Sequence, residues 1–435
     1  MKRSRHGHRD TCAALVGREL DPRESAAKAR LLGIATGQIR AVGGEPDGAW
    51  WVPGRLEIFG KHTDYAGGRT LVTAVPRGFI VAARRRGDNI VQAIDAVNGE
   101  TATMATHESS GPTSGWSHYV ATVVNRLARN FPEAPLGADI AFASDLPRAA
   151  GMSSSSALVV GVAQALVELS GIGQSPMWRA HVATPLDKAS YFACIENGSR
   201  FESFAGDAGV GTHGGSEDHA AMIDARAGQV SAFAFVPPRA FGRAPMPGEW
   251  SFVVAASGIV AEKTGAARHA YNRLADGARA LLDLWNGAGR EAPSLAAALA
   301  SASDAADRLR SQLRRSSVRG WTWDDLERRL DHFIREDARV EAALAAFAAA
   351  DTRALDQLSA TSQTDAERLL GNQVDETVAL AADARHEGAF AACSFGAGFG
   401  GSVWALVEAG DAERFAARWH PSAFIARPGP PLTVL

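Results

Sequence analysis

The sequence predicts an α+β protein, with a mixed, strand-rich N-terminal half followed by a mostly helical C-terminal half that carries a small sheet. Three observations lead there. At 435 residues the chain exceeds the ~250–300 at which a single hydrophobic core stops growing, so two domains are expected. From Ala49 to Ala105 short apolar runs alternate with turn residues, the mark of strands. From about Ala266 to Arg385 the composition shifts to Ala, Leu and Arg, the mark of helices.

The elements follow in order. Trp50 to Val52, Thr70 to Val75, Phe79 to Ala83 and Ile90 to Ile94 read as strands. Trp116 to Phe131 reads as a helix with Tyr119, Val120, Val123, Val124 and Leu127 on one face. Ala138 to Ala143 reads as a buried strand, feeding a loop at 145–151 and a helix from Ser153 to about Leu169. Prolines 237, 238, 245 and 247 cluster between two strand-like runs, and a strand at Val403 to Val407 precedes the Pro-rich tail. The division expected is a loose polar arm over 1–25, an N-terminal domain over 26–235 and a C-terminal domain over 236–435.

Charge and cysteine usage exclude several classes. With 45 basic against 48 acidic side chains, nothing draws the chain electrostatically to nucleic acid or an anionic membrane. Cys12, Cys194 and Cys393 are odd in number and far apart, which argues against a disulfide framework or zinc knuckle and suits a reducing compartment. The basic start has no signal-peptide apolar segment after it, and no apolar run approaches the ~20 residues a bilayer span needs. A soluble cytoplasmic protein is expected.

Three segments carry chemistry. Residues 54–68 crowd Arg55, Lys61, His62 and Asp64 among glycines, and read as a loop presenting charge to a polyol or phosphate rather than a core strand. Gly151 to Ala157, with Ser153, Ser154, Ser155 and Ser156 between a strand and a helix, offers either an anion cradle or an ordinary Ser-rich N-cap. Gly396 to Gly401, including Gly398, precedes a strand, whereas a dinucleotide fingerprint would follow one.

Together, in this order, the segments resemble the GHMP sugar and mevalonate kinase superfamily, and its galactokinase branch most closely. That branch's first motif reads Gly-Arg-x-Asn-x-Ile-Gly-Glu-His-x-Asp-Tyr-x-x-Gly, matched by Arg55, Gly60, His62, Asp64, Tyr65 and Gly68. Gly151 to Ala157 is similar to its Gly-Leu-Ser-Ser-Ser loop, and Gly396 to Gly401 to its Gly-Ala-Gly-Phe-Gly-Gly motif. The element from Gly214 and Gly215 to Asp218 resembles the one carrying the catalytic Asp, and Trp116 to Tyr119 the Trp-x-x-Tyr whose Trp stacks on adenine. Tyr271-Asn-Arg resembles an element lining the sugar site, and Glu196 resembles a Mg²⁺-associated acid.

The resemblance implies two lobes with the active site in the cleft between them, and an ATP-dependent sugar 1-kinase with Mg²⁺. Asp218 would deprotonate the anomeric hydroxyl, with Arg55 beside it to lower its pKa and stabilise the transferring phosphoryl group. Ser155 and Glu196 would hold Mg²⁺, the 151–156 loop, Trp116 and Gly398 would hold ATP, and Lys61, His62, Asp64, Gly215 and Tyr271 the sugar. A non-catalytic regulator binding sugar and ATP is the alternative from another class.

The departures bear on the sugar. Glu57 stands where the family has Asn, and Lys61 where it has a Glu that accepts a hydrogen bond from the C6 hydroxymethyl group. A lysine only donates. Pointing into the site, Lys61 would favour a C6 carboxylate, as in galacturonate or glucuronate, by ~1.5–3 kcal/mol; otherwise it pairs with Glu57. The stretch between Glu196 and Asp218 is longer than in galactokinases, and its Gly206, Gly209 and Gly211 read as a flexible flap.

Overall fold

The computed structural model describes residues 20, 22–106, 113–147, 151–259 and 266–435. An eight-stranded sheet organises the first part. Its path runs β12 (Thr433–Val434), β1 (Gly48–Phe59), β2 (Arg69–Arg85), β5 (Ala138–Ser144), β3 (Ile90–Asp95), β4 (Thr101–Ala105). β2 is long enough to take two partners on one edge. Its first residues pair with β6 (Gln229–Ala234) and its last with β5, while β7 (Arg239–Pro245) extends β6.

Period-two alternation decides what each face buries. Trp50, Val52, Val81, Ala83 and Ile140 face a layer of helices at Trp116–Asn130, Ser154–Leu169 and Pro185–Asn197. Trp51, Ile80, Ala82, Ala141 and Ala143 face the helix Pro22–Val42 on the other side. That helix was not foreseen, although Leu32, Ala35 and Ile39 recur at helical spacing and are buried. Residues 22–25 of the expected arm belong to it; residues 1–19 and 21 lie outside the described residues.

β1 corrects the reading of 54–68 as a loop. Arg55 and Glu57 sit inside the strand, paired with Ala74 and Val72 of β2. The alternation Arg55, Glu57 against Leu56, Ile58 sends the charges one way and the apolar side chains into the core. Charged residues inside a buried strand mark a cleft wall, and the loop itself begins only at Gly60. β7 was also missed, because its prolines read as a boundary; a strand paired only to β6 tolerates Pro245 at its end.

The second sheet is four-stranded and antiparallel, in the order β11 (Phe424–Ala426), β8 (Trp250–Ala256), β10 (Ser402–Glu408), β9 (Ala391–Phe395). One face packs on the helices Asp375–His386 and Ala412–Trp419. The other joins the main core through Phe252, Val254, Trp404 and Leu406. A separate apolar cluster unites the helices Ala266–Asn286, Leu295–Ala300, Ala305–Arg315 and Trp323–Ala348, and Tyr65 and Ala66 dock into it.

Trp404 is the hinge pin between the sheets, edge-on to Phe59 of β1 at 6.0 Å and to Phe252 of β8 at 5.8 Å, with no exposed surface. Trp404→Ala is expected to cost ~3–5 kcal/mol of unfolding free energy, read from urea denaturation.

Candidate active site

β1 brings Arg55 to the middle of a cavity where three chain segments meet. Its Nε donates to Asp218 Oδ1 at 2.6 Å and its Nη1 to the carbonyl oxygen of Gly151 at 2.6 Å. Glu217 Oε1 lies 3.2 Å from the same Nε. The other oxygen of Asp218 accepts from Ser156 Oγ at 3.1 Å. Both carboxylate oxygens of Asp218 are thereby oriented, at the first turn of the helix Glu217–Asp224. Glu57, His62, Asp64, Tyr65, Glu196, Gly215 and Tyr271 line the cavity with them.

Electrostatics here is a matter of too many carboxylates for one cation. Burial works against the charge of Arg55, but Asp218, Glu217 and Glu57 outweigh it and its pKa rises. Burial pushes Glu57 up to about 7, against the pull of Arg55 and Lys61. Glu217 is also raised well above an ordinary carboxyl by burial and by repulsion from Glu57.

The loop after β1 is held from one side by the helix Trp323–Ala348. Glu336 Oε1 accepts from the backbone N–H of Gly60 at 3.0 Å and of Lys61 at 3.4 Å. Arg329 donates to the carbonyl oxygen of His62 at 2.6 Å and to Tyr65 Oη at 3.0 Å. Asp337 accepts from Arg69 N at 2.7 Å. His62, at φ 58°, has its Nε2 3.0 Å from the Ala397 carbonyl and its Nδ1 2.9 Å from Tyr65 Oη. A carbonyl only accepts, so Nε2 carries the proton and Nδ1 accepts from the tyrosine. Both nitrogens are engaged, so His62 shapes the wall with its ring.

Lys61 departs from both expectations made for it. It does not line the cavity and it does not pair with Glu57. Its ammonium, with no exposed surface, donates to Ser362 Oγ at 2.8 Å and Cys393 Sγ at 3.2 Å and lies 3.8 Å from Glu336 Oε1. Burial opposes its charge, and Cys393 and Glu336 reverse that, so its pKa is raised. Glu336 in turn is held down at about 2, against burial, by Lys61, His332 and Arg339. The case for a uronic acid rested on Lys61 reaching the sugar and falls with it.

Asp64 Oδ2 accepts from Glu217 N at 3.1 Å, joining the loop to the helix that carries Asp218. Gly215 makes this possible, since a Cβ there would lie 2.1 Å from the same oxygen. The helix Ser154–Leu169 starts beside Arg55. Its N-cap Ser153, at φ 57°, makes no side-chain cap, so the first N–H groups, from Ser154 onward, have no partner within the helix. Gly396 packs so closely against this loop that a Cβ would lie 2.9 Å from the Gly151 carbonyl oxygen, which leaves no room for one. Gly398 lies against Asn372, whose carbonyl oxygen accepts from Phe399 N. Ser155 is half-buried on the helix's first turn, outside the cavity lining.

Two further residues complete the set. Glu196, buried, faces His219 Nε2 at 3.3 Å within the cavity. Trp116 is not in the lining. Its Nε1 donates to Glu100 Oε2 at 2.9 Å and its ring meets Phe142 edge-on at 5.1 Å. Arg329, Glu336, Glu217 and Asn197 were not singled out from the sequence. The first two belong to a charged stripe at 329, 332, 336 and 339 that in sequence looks like a solvated helix face, yet all four are buried.

Two outcomes test this geometry. Glu57 keeps a proton in the folded chain up to about pH 7, whereas an unperturbed Glu loses it near 4.5. Its contribution to stability is therefore complete below pH 4.5 and lost as pH rises through 7. Relative to Glu57→Gln, the parent chain should lose about 2–3 kcal/mol between pH 5 and 8 in urea denaturation. Glu336→Ala leaves Lys61 buried without its carboxylate and should destabilise by ~3–5 kcal/mol in the same assay.

The chain is similar to known proteins along most of its length. Residues 39–85 match the galactokinase galactose-binding signature, and residues 118–193 the GHMP kinases N terminal domain. The galactokinase of Streptomyces coelicolor is 28% identical over 373 residues, covering 84% of this chain and 86% of that one. That of a Roseiflexus species is 28% identical over 369 residues, covering 83% and 84%. In fold, the chain is similar to Lactococcus lactis galactokinase complexed with galactose (TM-score 0.74, 21% identity, 92% and 98% covered). It is less similar to Methanococcus jannaschii mevalonate kinase (TM-score 0.55, 12% identity, 88% and 98% covered). The chain thus carries a galactokinase galactose-binding signature and a GHMP kinases N terminal domain, and it is similar to galactokinases along most of its length.

Proposed function

We propose that this chain transfers the γ-phosphoryl group of ATP to the anomeric hydroxyl of galactose. The observation that carries the reading is Asp218, fixed by Arg55 on one oxygen and Ser156 on the other, in a cavity beside an uncapped helix N-terminus. Phosphoryl transfer asks mainly for alignment and for charge stabilisation on the transferring group. Asp218 accepts the anomeric proton as the oxygen attacks. Arg55 stabilises charge between that oxygen and the phosphoryl group. Asp64 and Tyr271 orient the sugar, while backbone N–H groups from Gly151 to Ser156 take the triphosphate, with Gly398 supporting the loop and Trp116 toward the adenine side.

Mg²⁺ fits the donors present. Glu196 would supply one buried carboxylate in the cavity, and Ser155 a half-buried hydroxyl on the first turn of the helix Ser154–Leu169, outside the cavity lining. No group of three or more metal-ligating side chains occurs among the described residues, and Mg²⁺ bound through phosphates and water needs only one or two. When bound it neutralises charge on the β- and γ-phosphates. A cytoplasmic setting belongs to the same proposal, supported by the need for ATP and by the unpaired Cys194 and Cys393. Among the described residues no helix is long and apolar enough to cross a membrane.

Coupled ADP release with ATP and Mg²⁺ tests the reading. Galactose should support turnover and galacturonate should not, and Asp218→Asn should lower kcat by about 10²–10⁴-fold while ATP still binds. ATP binding without turnover on any sugar would favour a regulator instead.

A further inference from the structure

Beside the catalytic cavity lies a second, much larger space. The first measures about 40 Å³ and the second about 840 Å³. They share a wall made by Asp64, Tyr65, Ala193, Asn197, Gly214 and Gly215. None of the groups around the reacting phosphoryl position, Arg55, Ser156, Asp218 or Gly396, borders the larger chamber. It therefore opens on the side of the first cavity away from Arg55 and Asp218. A chamber of this volume is in the range that encloses ligands well above one hexose (~300–1,000 Å³).

Its outer wall is built rather than loose. The stretch between Glu196 and Asp218 is expected from Gly206, Gly209 and Gly211 to be a flexible flap. Instead, the buried Arg126 donates to the Ser199 carbonyl oxygen at 2.5 Å and pairs with Asp207 at 3.3 Å. Phe204 packs with Tyr191 at 5.1 Å and Phe131 at 5.2 Å. Asn272 ties down its last residues, accepting from His213 N and donating to the Gly211 carbonyl oxygen, both at 3.0 Å. The chamber's lining is mixed: Arg200, Asp207, His213, Ser216 and Arg279 offer hydrogen-bonding groups beside the apolar Phe235, Pro237 and Leu282, and a sugar ring, with hydroxyl edges and an apolar face, can use both.

We propose that this chamber is a subsite for a second sugar ring, so that the chain phosphorylates a disaccharide at its reducing-end galactose. The inference rests on the galactose 1-kinase reading above. The anomeric oxygen of the reducing ring forms the new O–P bond, the γ-phosphorus to β-oxygen bond of ATP breaks, ADP leaves, and the hydroxyl proton passes to Asp218. The second ring, linked through a hydroxyl away from C1, occupies the chamber.

The test compares galactose with 3-O-, 4-O- and 6-O-linked galactobiose in the ADP-release assay, on the parent chain and two variants. Ala208→Trp places bulk at an exposed position of the chamber wall, and Arg279→Ala removes an exposed donor. At least one galactobiose should match or exceed galactose in kcat/KM. Each variant should lower that value about tenfold and leave galactose within about twofold. Turnover of galactose with no galactobiose of any linkage accepted would overturn the subsite and leave the kinase reading intact. Galactobiose turnover untouched by both variants would equally overturn it. Failure on galactose and galactobiose alike, with ATP bound in a direct titration, would overturn both readings.

Discussion

One buried guanidinium organises this molecule's chemistry. Arg55 ties β1, the Gly151 carbonyl and the helix carrying Asp218 into a single hydrogen-bonded unit. Burying a lone cation costs several kcal/mol, and carboxylates compensate only when well placed. Here there are more of them than one cation needs, and burial with mutual repulsion raises the pKa of Glu57 and of Glu217. Asp218 keeps the short contact to Arg55 and the hydroxyl of Ser156. The arrangement proposed for catalysis is thus also the local solution to a burial problem. The chain cannot fold this region without bringing the Ser loop and the Asp218 helix to Arg55.

A second constraint sits behind the first. The helix Trp323–Ala348 holds the loop after β1 at both ends, through Glu336 at Gly60 and Asp337 at Arg69, with Arg329 between them. Lys61 is drawn into this support, away from the cavity, by Glu336, Ser362 and Cys393. Its side chain therefore helps fix the loop that presents Asp64. Substrate preference has to be sought elsewhere, and the chamber beyond Asn197 and Gly214 is where the structure leaves room for it.

Much of this was legible in the sequence, and the omissions have physical causes. The strands with clean alternation, the helices with an apolar face and the three Gly-punctuated segments were readable, since local pattern determines them. Arg55 and Glu57 looked like loop residues because charge inside a strand is rare; only their partners, distant in sequence, make it tolerable. The destination of Lys61 was beyond the sequence, since Glu336, Ser362 and Cys393 converge on it only in three dimensions. The stretch between Glu196 and Asp218 looked mobile from Gly206, Gly209 and Gly211, yet Arg126 holds Ser199 and Phe204 packs on Tyr191.

The central claim is that Asp218 directs transfer to the anomeric oxygen. Two-dimensional ¹H–³¹P correlation on the product formed from ATP and galactose tests it most directly. The account predicts a phosphorus signal coupled to H1 of the sugar and its absence with Asp218→Asn. A phosphorus coupled to the C6 protons, or an unchanged product from Asp218→Asn, would contradict it.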